Sequence, residues 1–156
     1  MAKQIHPLQI VVAVGLLLVA GCDWLRPGGP PDEAYFEITT EDVSQLTVVI
    51  SQNFYRFQDE SCIEEPDCPV HLVLDEADTI VVSAPYSSTI EFTDRHQLFI
   101  ETHPLDEVEA EVGMTVEIDG RDWYEDLRLL SPENENGERD TLRFLYQYRE
   151  RNTGAP

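Results

Sequence analysis

Between Val108 and Ile118 the chain alternates with a period of two: Val108, Ala110, Val112, Met114, Val116 and Ile118 share one parity, Glu109, Glu111, Thr115 and Glu117 the other. A helix would scatter those acids around its circumference, whereas a strand with one buried face segregates them. Gly113 stands among the polar positions, where a kink, bulge or turn is expected. Asp119-Gly120 follows at once, a strong signal for a two-residue hairpin turn. The chain then returns through Trp123-Tyr124 and Leu127-Arg128-Leu129. The same period recurs at Phe36 and Ile38, at Leu46, Val48 and Ile50 running into Phe54-Tyr55-Arg56-Phe57, and at Ile90 and Phe92. It recurs again over Leu98-Phe99-Ile100, and last at Leu142, Phe144, Tyr146 and Tyr148. Leu72 and Leu74 lead into Asp75-Glu76-Ala77-Asp78, whose composition predicts a turn before Thr79-Ile80-Val81-Val82 resumes. Glu41 to Gln45 predicts a single helical turn after Thr40, and Pro132 to Gly137 an exposed loop. Seven or eight short strands with no long helix make the fold class all-β. A small β-sandwich of immunoglobulin-like architecture is expected, with a small closed β-barrel as the alternative.

The first residues follow a different logic. Lys3 and the free amino terminus precede a run, Leu8 to Ala20, that is almost wholly apolar and 13 residues long. A helix needs about 20 residues to span a bilayer, so this is the pattern of a secretory signal. It ends on Val19-Ala20-Gly21-Cys22, which resembles the lipobox of bacterial lipoproteins: an aliphatic residue, two small ones, then cysteine. The resemblance covers the signal alone. It implies cleavage before Cys22, thioether lipidation of its thiol and acylation of the new amine. Asp23, directly after, resembles the inner-membrane retention signal of enterobacterial lipoproteins, which implies the periplasmic face of the inner membrane rather than the outer membrane.

The expected organisation is therefore residues 1–21 as a removed signal peptide and 22–33 as lipidated cysteine and tether. Residues 34–150 form the β-sandwich domain, and 151–156 a flexible tail. Arg26-Pro27-Gly28-Gly29-Pro30-Pro31 denies the tether a helix or strand, and from Cys22 to Glu33 it reaches at most about 40 Å. The whole chain carries 31 acids against ten bases, net −21. Removal of the signal takes away Lys3, the one lysine, and leaves nine arginines, so the mature charge is 9 − 31 = −22. Such a field repels nucleic acid and anionic lipid, excluding nucleic acid as a partner class.

Cys62 and Cys68 flank Ile63-Glu64-Glu65-Pro66-Asp67. In an exported domain a disulfide is the default for such a pair; a ring this small is worth roughly 2 kcal/mol and pins only a loop. A redox pair favours Cys-x-x-Cys spacing, and zinc needs two further ligands. His71, His96 and His103 lack metal-ligand spacing. Asp75, Glu76 and Asp78 crowd one segment and Asp119, Asp122, Glu125 and Asp126 another, with neither in a known calcium-loop order. No nucleophile elbow, phosphate loop or zinc-protease helix is present. No catalytic residue, metal or cofactor is assigned. Phe54, Tyr55 and Phe57, or Tyr146 and Tyr148, are candidates for an exposed aromatic platform.

The expectation is a non-enzymatic envelope lipoprotein, attached to the membrane through the lipid on Cys22 and binding another envelope protein or serving structurally. The alternatives are a domain that binds or hydrolyses polysaccharide or cell wall, and a calcium-stabilised module. An aromatic-lined groove with two facing acids would favour the polysaccharide-binding or hydrolytic domain. An unpaired edge strand would favour protein binding.

Overall fold

The computed structural model describes residues 29–58, 70–106, 108–132 and 139–149. Cys22, Asp23, Cys62, Cys68, the signal segment and the C-terminal tail lie outside the described residues. Eight strands are present: β1 (Glu33–Thr39), β2 (Gln45–Gln58), β3 (Val70–Ser83), β4 (Tyr86–Glu91), β5 (Gln97–Pro104), β6 (Ala110–Ile118), β7 (Arg121–Leu130) and β8 (Leu142–Gln147). They form two antiparallel four-stranded sheets, ordered β4-β1-β6-β7 and β3-β2-β5-β8. Among the described residues no strand pairs from one sheet to the other, so the fold is a sandwich and not a closed barrel. Its likeness to immunoglobulin domains is one of architecture, two packed antiparallel sheets.

Alternation places the core between the sheets. Phe36 and Ile38 of β1 and Val112, Met114, Val116 and Ile118 of β6 meet Leu46 and Val48 of β2, Leu98 and Ile100 of β5, and Leu142 and Phe144 of β8. Burying each such side chain stabilises by about 1.5–3 kcal/mol. Thr102 lies among them fully buried, and its Oγ1 donates to the Thr47 carbonyl at 3.0 Å, so its polarity is satisfied. The Asp119-Gly120 turn forms as expected: Ile118 pairs with Arg121, and both turn residues have positive φ, 50° and 68°. That is the type I′ geometry.

Four local expectations are corrected. Asp75-Glu76-Ala77-Asp78 forms no turn, because β3 runs through it. Asn53 pairs with Glu76 and Phe54 with Leu74, leaving Asp75 as the extra residue of a bulge, and Asn53 Nδ2 donates to Asp75 Oδ2 at 2.9 Å. The segment after Thr40 bends without forming a helical turn. Thr40 Oγ1 takes the Asp42 amide and Asp42 Oδ2 takes the Glu111 amide, side-chain bonds that compete with a helix. Val108 lies outside β6 and is exposed. Gly113 marks neither kink nor turn but close approach: a Cβ there would stand 2.8 Å from Thr39 Oγ1 and 3.3 Å from Leu127.

Candidate functional site

The sandwich has two flanks, and they are built differently. On one, the chain itself passes from the edge strand β3 to the edge strand β4 through Ala84-Pro85, and the Ala84 amide donates to the Ser44 carbonyl. On the other, the edge strands β7 and β8 face each other without pairing. Between them opens a groove of about 640 Å³.

A bulge furnishes this groove with its most prominent side chain. Val116 pairs with Tyr124 and Glu117 with Asp122, so Trp123 is the extra residue on β7. The bulge re-aims Trp123 out of strict alternation, and its ring meets Tyr146 of β8 edge-on, centroids 5.0 Å apart at 83°. Tyr146 continues to Phe92 at 5.7 Å, and Tyr124 packs on Phe144 at 5.4 Å. Trp123 remains 55% exposed, so the aromatic wall is open to a ligand. Arg143, Gln147 and Arg149 add polar lining, and among the described residues no carboxylate lines the groove.

Burial raises the Tyr146 phenol above its ordinary value, with the Asp119 charge and then Tyr148 adding to it. Burial also raises Tyr124, followed by the charge of Asp126 and the hydrogen bond its phenol donates to that carboxylate, against a smaller opposing effect of Arg128. Both groups hold their proton more tightly in the folded chain than in the unfolded one, where the phenol ionises near 10.0. The stability they contribute is whole below that pH and is lost as pH rises through the raised folded values. The expected result is that Tyr124→Phe/Tyr146→Phe flattens the alkaline limb of the stability-pH curve above pH 10, read by urea denaturation. An unchanged limb would refute the assignment.

The end of the sandwich nearest Trp123 also gathers the start of the domain. Asp119 Oδ1 accepts the amides of Asp32 and Glu33 at 2.9 and 3.2 Å, and the Phe92 amide donates to the Asp32 carbonyl. Beyond the same end project the distal halves of β2 and β3, paired from Phe54–Leu74 to Gln58–Val70 past the Gln97 start of β5. Phe54 is buried, but Tyr55 and Phe57 are exposed, and Phe57 stacks on His71 at 5.2 Å. At the base of this arm Gln52 Oε1 takes the Thr93 amide at 2.9 Å, and Arg95 donates to Asn53.

The three histidines are not brought together. His71 lies on the arm, His96 sits in the β4–β5 turn at φ 46°, and the His103 Nδ1 atom lies 2.8 Å from the Pro104 carbonyl and 3.1 Å from Arg139 at the opposite end. Among the described residues no three His, Cys, Asp or Glu are placed to hold a metal ion. Several aspartates serve the backbone instead: Asp119, Asp42 and Asp140 each accept main-chain amides. Of the aromatic candidates, Tyr146 enters the groove wall, Tyr148 its lining, and Tyr55 and Phe57 the separate arm. Trp123 was not singled out from the sequence. The available signal was its adjacency to Tyr124, since strict alternation gives two neighbouring aromatics opposite faces. Comparison of the chain with protein-family models, curated proteins and solved structures finds no match.

Proposed function

We propose that this chain is a non-enzymatic envelope lipoprotein, held to the membrane through Cys22, whose sandwich binds another envelope protein along the β7/β8 flank. The observation that carries the binding assignment is the pair of unpaired edge strands with an open, aromatic-walled groove between them. Edge strands offer unmet amides and carbonyls, and exposed aromatics supply contact energy. The lipobox-like segment supports the anchor, Asp23 the inner membrane, and the Cys62/Cys68 spacing a disulfide in the β2–β3 connection.

Trp123→Ala/Tyr146→Ala tests the binding face. The expected result is that a protein which co-purifies with the parent chain from gently solubilised membranes is depleted at least about tenfold, as for a central aromatic anchor. Equal recovery of the partner would overturn the placement. The Trp123–Tyr146 wall also suits a sugar ring, so glycan binding is the second reading. It predicts that cell-wall oligosaccharides quench Trp123 fluorescence, and among the described residues the groove lining holds no facing acid pair for hydrolysis.

A further inference from the structure

We infer that the groove takes an extended acidic segment of the partner, which adds as a strand to the free edge of β8. This rests on the protein-binding assignment above and names the chemistry of what binds.

The first support is where the positive charge lies. Seven arginines occur among the described residues, and five of them, Arg121, Arg128, Arg139, Arg143 and Arg149, fall between residues 121 and 149. Over the full stretch 121–149 seven acids, Asp122, Glu125, Asp126, Glu133, Glu135, Glu138 and Asp140, stand against these five arginines, so the positive charge of the groove is confined to its β8 side, at Arg143 and Arg149. The other described residues hold 16 acids against two arginines. Residues 141–149 contain two arginines and no acid in a chain with 31 acids. Exposed charges more than about 8 Å apart are largely screened at physiological salt, so the local sign governs what lies in the groove. A cationic ligand would find acids over the rest of the sandwich. An anionic one meets Arg143 and Arg149 on the β8 side of the groove.

The second support is the edge itself. The Tyr148 amide donates to the His96 carbonyl at 3.0 Å, continuing the β5–β8 register in which Gln147 faces Gln97. In an antiparallel ladder hydrogen-bonded pairs alternate with non-bonded ones. Tyr146, Phe144 and Leu142 therefore bond to β5, while the N–H and C=O groups of Arg143, Leu145 and Gln147 point to the free edge. Natural edges are commonly guarded by charge or proline. β3 is guarded by Asp75, Glu76 and Asp78 and β7 by Asp122, Glu125 and Asp126, whereas β8 has neither acid nor proline. Arg143 already bonds Glu101 through Nε, yet its side chain is 62% exposed, leaving its terminal nitrogens for a second carboxylate. Arg149 has no ion-pair partner among the described residues.

The test uses the mature chain carrying Cys22→Ser and three synthetic peptides. One alternates valine with glutamate, one valine with lysine, and the third is the glutamate peptide N-methylated at alternate amides. Binding is followed by Trp123 fluorescence, with Trp24→Phe removing the other tryptophan. The glutamate peptide is expected to bind, the lysine peptide to bind at least about tenfold more weakly, and N-methylation to cost a similar factor, as loss of several main-chain hydrogen bonds requires. Arg143→Ala/Arg149→Ala should reduce glutamate-peptide binding about tenfold, with an unchanged denaturation midpoint showing that the fold is intact. Equal binding of the lysine peptide, or undiminished binding after N-methylation, would overturn the inference. A partner protein that cross-links to the groove through a non-acidic segment overturns only the charge assignment. Failure to recover any protein partner overturns the function on which it rests.

Discussion

Cys22→Ser is expected to abolish fatty-acid labelling and move the protein from the membrane fraction to the soluble one. A single acyl chain binds a membrane marginally and two bind it stably, each buried methylene contributing about 0.8 kcal/mol. Diacylglyceryl and amide-linked chains on one residue would therefore hold the protein without other contacts. Its own charge gives no such help. At a net charge of −21 over the full sequence, the chain is repelled from anionic lipid. Metabolic labelling with a fatty acid, followed by fractionation, measures both outcomes. A serine variant that stays membrane-bound to the same degree, with the parent unlabelled, would remove the anchor from this account.

The second large effect lies in the core. Phe36→Ala is expected to cost about 3–5 kcal/mol, a large fraction of the roughly 5–15 kcal/mol that holds a domain folded. Phe36 is fully buried, pairs with Val116 and Ser88 on its two sides, and meets Tyr86 edge-on at 5.9 Å. Its removal leaves a void between two sheets whose backbones are fixed by their ladders, so the site collapses poorly. Tyr35→Ala, one residue away on the outer face, serves as the control and should cost under about 1 kcal/mol. Guanidinium denaturation separates the two. A loss at Phe36 as small as that at Tyr35 would mean that β1 does not seal the core.

Much of the fold was legible because a sandwich strand has one wet face and one dry one, and residues such as Val112, Val116 and Ile118 record that directly in the sequence. The Asp119-Gly120 turn was legible because its positive φ values restrict which residues can stand there. Asp75 to Asp78 misled for an equally physical reason. Aspartate favours turns because it bonds nearby backbone, but here Asn53 supplies the partner across the ladder and the strand continues. The groove was less legible. No local pattern says that β7 and β8, 11 residues apart from Leu130 to Leu142, lie in different sheets and face each other across a flank.

The alternation beginning near Val108 determined by itself that this chain forms half-buried strands, since side-chain parity depends only on the local backbone. The residues around Cys22 likewise carry their expectation of an anchor within a few consecutive positions. Strand order, the one-residue bulge that turns Trp123 toward Tyr146, and a β8 edge with no strand partner among the described residues were decided by the tertiary structure. Those features depend on which distant strands meet and in what register, and alternation is the same for every partner a strand could take.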